Sequence, residues 1–261
     1  MKEFGLQIYS VRDYFTNKED TKTAFKELAK MGYKSVQTAG TYDYIAPEEF
    51  YKLLSDAGLY VCGTHYSFDK IIGDVPGTIK YHEALGTKNI GLGGMPMEYR
   101  NSEEGVLKFI EAYNEAANVY AKHGFKLNYH NHSFEFIKLE SGKCVFDHMI
   151  EKFNENVSFV IDTFWLQYAG VDVRVLLEGL AGSIDILHLK DMSADRSKLD
   201  VYPYPMVAIG EGNLNFKGII ECAEAAGVKH FVVEDDRCFP GESLKEAKKS
   251  ADYIKENLLE K

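Results

Sequence analysis

The sequence predicts an α/β protein built as a closed (β/α)8 barrel, on three observations. Short apolar strands alternate with helical stretches eight times, and glycines stand where the helices end. The length of 261 residues suits one such barrel. No linker or shift in composition divides the chain, so residues 1–261 are read as a single domain. An open doubly wound sheet is the alternative. Its glycine fingerprint belongs just after the first strand, where Tyr9-Ser10-Val11-Arg12 stands instead.

The elements follow in order. The first apolar run is residues 4–9. Residues 21–31 have helical spacing, through Ala24, Phe25, Leu28 and Met31, and stop at Gly32. Residues 33–38 form a strand with Gln37 near its end. Pro47 suits a first helical turn, and Phe50, Leu53, Leu54 and Ala57 make that helix's apolar stripe before Gly58. Residues 59–65 are the third strand, ending in His65. A helix over 78–85 stops at Gly86, and 89–92 is the fourth strand, leaving through Gly93-Gly94. Ser102 opens the longest helix; Glu103 and Glu104 suit the positive end of its dipole, and it breaks at Gly124.

Residues 127–135 read as a strand running into polar side chains. Alternation puts Asn128, His130 and His132 on one face, and Tyr129 and Asn131 on the other. A detour covers 133–143, and 145–153 is helical. Strands over 157–162 and 184–188 flank a helix over 173–180. A long connection, 190–214, leads to a helix over 216–226. Residues 230–234 are the eighth strand and 242–259 the closing helix.

A net charge of −10 opposes nucleic-acid binding, which needs a basic stripe. No run is long and apolar enough to cross a bilayer. Met1-Lys2-Glu3-Phe4 has no signal-peptide layout. Cys62, Cys144, Cys222 and Cys238 show no CxxC spacing and read as reduced thiols. A cytoplasmic protein is expected.

Four strands end in His130, Asp162, His188 and Glu234. In a closed barrel the C-terminal strand ends surround one mouth, so these residues should converge. Two imidazoles and two carboxylates suit a divalent ion such as Mn, Co, Zn or Fe. Each also has a plain alternative. Asp162 could cap the next helix, His188 could pair with Asp191, and Glu234 could be a solvated acid beside Asp235 and Asp236. Four such accidents together are improbable. Gly210-Glu211-Gly212 reads as a turn, and no glycine-rich phosphate loop is present.

The chain resembles the sugar phosphate isomerase/epimerase superfamily of xylose isomerase-like TIM barrels. The resemblance rests on Gly5-Leu6-Gln7-Ile8-Tyr9-Ser10-Val11-Arg12-Asp13, Tyr129-His130-Asn131-His132 and Phe134-Glu135-Phe136. It continues in Asp162-Thr163-Phe164-Trp165-Leu166-Gln167-Tyr168-Ala169-Gly170 and His188-Leu189-Lys190-Asp191-Met192. Ile209-Gly210-Glu211-Gly212 and Val233-Glu234 complete it, so nearly the whole chain is covered. It implies one divalent metal ion (Mn, Co, Zn, Fe or Mg) held by Glu, Asp, His and Glu at strand ends. Asp162, His188 and Glu234 match. His130 departs, standing where a relative's glutamate serves as one of two acid/base groups. Glu234 is then the expected base, and Glu135, His132 or Lys190 the expected second group. Tyr9, His65, Trp165 and Arg237 are the expected substrate contacts.

The resemblance implies an isomerase or epimerase of a sugar or keto-sugar, acting by proton abstraction beside a carbonyl with a metal-stabilised enediolate. A keto-sugar or keto-inositol lyase or dehydratase is the alternative, and a non-catalytic carbohydrate-binding barrel a third. The expected partner is a small sugar, with no nucleic acid or membrane; a homo-oligomer is left open.

Overall fold

Eight parallel strands close into a barrel in the computed structural model, which describes residues 1–194, 205–237 and 239–260. The barrel strands are β1 (Gly5–Gln7), β2 (Ser35–Ala39), β3 (Tyr60–His65), β4 (Asn89–Leu92), β5 (Lys126–His130), β6 (Val157–Asp162), β7 (Ile184–Leu189) and β10 (His230–Val233). A small hairpin, β8 (Asp191–Met192) with β9 (Met206–Val207), leaves the barrel after β7. The helices are α1 (Lys18–Met31), α2 (Pro47–Asp56), α3 (Phe68–Gly73), α4 (Val75–Ala84), α5 (Glu103–Ala121), α6 (Val145–Lys152), α7 (Thr163–Tyr168), α8 (Val173–Gly179), α9 (Phe216–Ala225) and α10 (Ser243–Asn257).

The expected alternation is present, with local differences that have local causes. The first strand ends at Gln7, whose side chain accepts from the Tyr9 N–H and starts a 3-10 helix over Ile8–Tyr14. The strand expected over 127–135 ends at His130, and residues 134–136 form a 3-10 turn, so His132 lies beyond the pleat. Helices α3 and α7 are one or two turns long, too short to show a period in sequence. Part of the connection over 190–214, and Cys238, lie outside the described residues; Cys62, Cys144 and Cys222 are free. No described helix is long and apolar enough to cross a membrane.

Inside the barrel, period-2 alternation stacks an apolar layer beneath a polar one. Cys62, Val160, Ile186 and Val232 form a separate buried cluster. Two residues further along three of those strands stand Asp162, His188 and Glu234. Gly63 makes room for this layer, because a Cβ there would lie 2.9 Å from Ile186 Cδ1.

The ladder runs β3-β2-β1-β10-β7-β6-β5-β4, and the ring closes between β3 and β4 by a different means. One isolated bridge joins Tyr66 to Leu92, with the Tyr66 N–H donating to Gly91 O at 2.8 Å. Side chains supply the remaining links. Asn89 Nδ2 donates to Cys62 O at 2.8 Å, and the Gly91 N–H donates to Thr64 Oγ1 at 3.3 Å. Gly91 is required here, since a Cβ would fall 2.0 Å from Thr64 O.

Thr64 also ties the seam to α4. Its hydroxyl lies 2.9 Å from His82 Nε2, and His82 Nδ1 lies 2.7 Å from Thr78 O. A carbonyl only accepts, so Nδ1 carries the proton and Nε2 accepts from Thr64. This arrangement is complete for a neutral ring, and burial lowers its pKa from 6.5 to about 4. The unfolded chain therefore binds more protons than the native one in that interval. His82 leaves stability intact above about pH 6.5, and its protonation removes stability as pH falls toward about 4. The loss is on the order of 3 kcal/mol. Urea midpoints at neutrality and near pH 4 should fall less in His82→Gln than in wild type; equal falls would count against this account.

Candidate metal centre

The four strand-end residues converge on one another at the C-terminal mouth, where His130 and Glu234 reach a cavity of roughly 320 Å³ and Asp162 and His188 lie buried out of its lining. Tyr9, Ala39, His65, Gly93, His130, His132, Lys190, Glu234 and Asp236 line it. Its size falls at the lower end of small-molecule sites, about 300–1,000 Å³. His130 Nε2, Asp162 Oδ2, His188 Nδ1 and Glu234 Oε2 can serve as one donor each. Four of their six separations are 3.3 Å for His130–Asp162, 3.7 Å for His188–Asp162, 2.9 Å for His188–Glu234 and 4.0 Å for His130–Glu234, and all four atoms lie within 4.8 Å of one another. A tetrahedral ion with bonds of about 2.1 Å sets its donors about 3.4 Å apart. The donor set therefore fits a divalent ion.

The outer contacts agree with that use. His130 Nδ1 lies 3.2 Å from Gly93 O, so it donates there and leaves Nε2 bare toward the cluster. Asp162 divides its two oxygens. Oδ1 accepts from the Trp165 N–H at 3.0 Å and caps α7, while Oδ2 faces the cluster. The two alternatives weighed for Asp162 thus coexist in one side chain. Asn131 Oδ1 fixes the Asp162 backbone by accepting its N–H at 3.0 Å. His188 does not pair with Asp191, and Glu234 is buried rather than solvated.

Lys190 is the cation of the site. Its Nζ lies 3.4 Å from Asp162 Oδ2, 3.1 Å from Glu234 Oε2 and 2.8 Å from Asp236 Oδ2, and 5.3 Å from the centre of the Trp165 ring. Burial alone would raise the Asp162 and Glu234 carboxyls. The Lys190 charge and the histidine contacts outweigh it and hold both well below the ordinary range. Burial would likewise lower Lys190 and His188. The carboxylates overcome it, raising Lys190 and taking His188 up to about 9.

The remaining candidates are placed as follows. His65 lies over the centre, with its ring 4.9 Å from His130 and 5.6 Å from His188. His132 sits 4.8 Å from the His130 ring and 5.4 Å from Trp165; burial, with the neighbouring His130 imidazole, lowers it to about 3. Tyr9 is on the rim, 43% exposed, with Arg12 over its ring. The Trp165 indole N–H is buried with no partner among the described residues. Glu135 does not line the cavity. It accepts from Tyr129 Oη at 2.7 Å and the His132 N–H at 2.9 Å, and burial raises it to about 7. Arg237 does not line it either, being held by Asp235 and Glu246. Sequence reasoning named Asp236 only as a neighbour of Glu234, and noted Gln7 and Gln37 without a role. Asp236 had a visible signal, standing two places past Glu234.

Residues 25–257 match the family described as xylose isomerase-like TIM barrel. An inosose dehydratase from Histophilus somni (strain 129Pt) is 25% identical over 92% of this chain and 91% of its own. A sugar phosphate isomerase/epimerase structure from Parabacteroides distasonis ATCC 8503 superposes with a TM-score of 0.82 at 22% identity, covering 99% of both chains. A D-allulose 3-epimerase structure from Methylomonas sp., in complex with D-allulose, has a TM-score of 0.69 at 15% identity, covering 98% and 96%.

Asp191, next to Lys190, builds the loop beyond β7. Its Oδ2 accepts from the Gly210 and Gly212 N–H groups at 2.9 and 3.0 Å; its Oδ1 accepts from Met192 and Leu214 at 2.8 and 3.3 Å. The turn read at 210–212 thus wraps a carboxylate of the chain itself. Gly212 is needed, since a Cβ would sit 2.3 Å from Asp191 Oδ1. Asp191→Asn would turn an amide N–H toward two backbone donors whichever way it rotated. We expect about 2–3 kcal/mol of lost stability in urea unfolding; a loss under about 0.5 kcal/mol, typical of an exposed position, would refute this role.

Proposed function

We propose a function on this premise: the chain belongs to the xylose isomerase-like TIM barrel family. It is a divalent-metal-dependent enzyme of the isomerase or epimerase type, acting on a small keto-sugar by moving a proton on the carbon beside the carbonyl. The observation that carries this reading is the convergence of His130, Asp162, His188 and Glu234 on one another, with His130 and Glu234 reaching the cavity. A divalent ion held by these residues would supply electrophilic stabilisation of negative charge on a substrate oxygen.

The chain's own groups divide the remaining work. Glu234 is ionised at neutral pH and is the carboxylate best placed to accept the proton. Lys190 keeps it ionised and presents N–H donors to a substrate oxygen. His65 and His132 line the cavity and bind hydroxyls, Tyr9 narrows the rim, and Trp165 backs Lys190 and His132. Of the expected second groups, Lys190 is the one in the lining that carries an ionisable proton at neutral pH; His132 is held neutral, and Glu135 lies behind it.

A second reading, dehydration of a keto-sugar or keto-inositol, has its own support. The two carboxylates lining the cavity, Glu234 and Asp236, follow one strand, and the other lining residues carry none. Removing a proton and protonating a departing hydroxyl can use one wall, whereas epimerisation needs donors on two. The Histophilus relative is itself called a dehydratase.

Metal analysis and solvent exchange test both readings together. Reconstituted protein should hold one divalent ion, lost in His188→Ala and Asp162→Ala. A panel of keto-sugars and keto-inositols in deuterated water should gain deuterium beside the carbonyl. An isomeric product supports the first reading and loss of water the second. In samples shown to retain metal, Glu234→Gln should slow exchange by about 10²–10⁴-fold. Metal-loaded wild type with neither exchange nor turnover would leave only a carbohydrate-binding barrel.

A further inference from the structure

We infer that Gln7 and Gln37 form a relay that orders protons on two histidines, turning the correct nitrogen of His188 toward the metal and an N–H of His65 toward the substrate. The inference rests on the metal reading above.

The relay starts from a group that can only donate. The Tyr9 backbone N–H points at Gln7 Oε1 at 3.3 Å, which makes that atom the oxygen and the other the amide nitrogen. Gln7 Nε2 therefore donates, and it lies 3.0 Å from Gln37 Oε1. Turning the Gln37 amide over would set two NH2 groups against each other, so Gln37 presents its oxygen. The same oxygen lies 2.5 Å from His188 Nε2, which must then carry a proton. A neutral His188 is left with its lone pair on Nδ1, the atom 2.9 Å from Glu234 Oε2. A ligating imidazole needs this arrangement: one bare nitrogen at the ion and the other N–H anchored.

Gln7 has a second acceptor. Its Nε2 lies 3.4 Å from His65 Nδ1, so a neutral His65 carries its proton on Nε2. That N–H is buried and has no partner among the described residues, on a ring that lines the cavity. An unmet buried donor is unfavourable, and a carbonyl or hydroxyl oxygen of the substrate would meet it. Barrel register makes the relay possible. Gln7 and Gln37 are paired residues of β1 and β2, and β10 alone separates β1 from β7. Both glutamines are fully buried. They are positioning residues, because neither lies among the donors of the centre.

Zinc, being diamagnetic, is the probe. Long-range ¹H–¹⁵N correlation of zinc-loaded wild type should show His188 bound through Nδ1 with its proton on Nε2, and His65 as the Nε2–H form. Zinc affinity by chelator competition should fall about 10–100-fold in Gln37→Met, which removes the acceptor and keeps the length. Gln37→Glu restores an acceptor and should stay within about threefold of wild type, a contrast that simple space-filling does not give. A proton on His188 Nδ1 or His65 Nδ1 overturns the relay, and that spectrum needs no variant to fold. Unchanged affinity in a folded Gln37→Met overturns it as well. Failure of wild type to take up zinc overturns the metal reading itself and the relay with it.

Discussion

The mouth of this barrel depends on one buried ammonium. Asp162, Glu234 and Asp236 all approach Lys190 within 3.4 Å, and Lys190 is almost fully buried. Taking a carboxylate out of water costs several kcal/mol even after relaxation. Asp162 and Glu234 bear this in full and the partly exposed Asp236 in part, so the cluster needs cations at contact. Lys190 supplies one, and a protonated His188 or a divalent ion supplies the next. Exchanging the His188 proton for a divalent ion raises the charge of the cluster by one, from one negative excess to balance. The backbone is held accordingly: the Lys190 N–H donates to Thr163 Oγ1, and the Thr163 hydroxyl lies 2.9 Å from Lys190 O. Asp191, the next residue, fastens the following loop. The charge cluster, the first turn of α7 and the β7 loop thus meet at Thr163, Lys190 and Asp191.

The fold was legible in the count of its units: apolar strands with glycine-ended helices between them came to eight. Val160-Ile161, Ile186-Leu187 and Val232-Val233 are apolar on both faces, so the strand ends Asp162, His188 and Glu234, not an alternation, marked where the chemistry gathers. The geometry behind the individual roles was less legible. Sequence reading set capping and cluster contact as rivals at Asp162, because it sees a residue and not its two oxygens. The plain alternative for His188, a pair with Asp191, came from their nearness in the chain. Asp191 turns instead to four backbone amides, three of them about twenty residues on. Gln7 and Gln37 gained meaning only from register, which places β1 beside β2 and one strand from β7. Arg237 looked available as a contact for an anion, but Asp235 and Glu246 engage its guanidinium. Nothing in its immediate sequence marks Glu246, a helix residue nine places on, as a partner.

The closure between β3 and β4 has a consequence for how the wall moves. Elsewhere neighbouring strands are joined by backbone ladders; here one backbone bridge and two side-chain links do that work. Local opening costs less where fewer cooperative backbone bonds must break together. By backbone bonds, this seam opens more readily than the four-pair ladders that join β4, β5, β6 and β7. His65 rides on one lip of that line and Gly93 follows the other. Opening there would move His65 and Gly93, and through Gly93 O the anchor of His130 Nδ1, while the ladders that carry Asp162 and His188 stay paired.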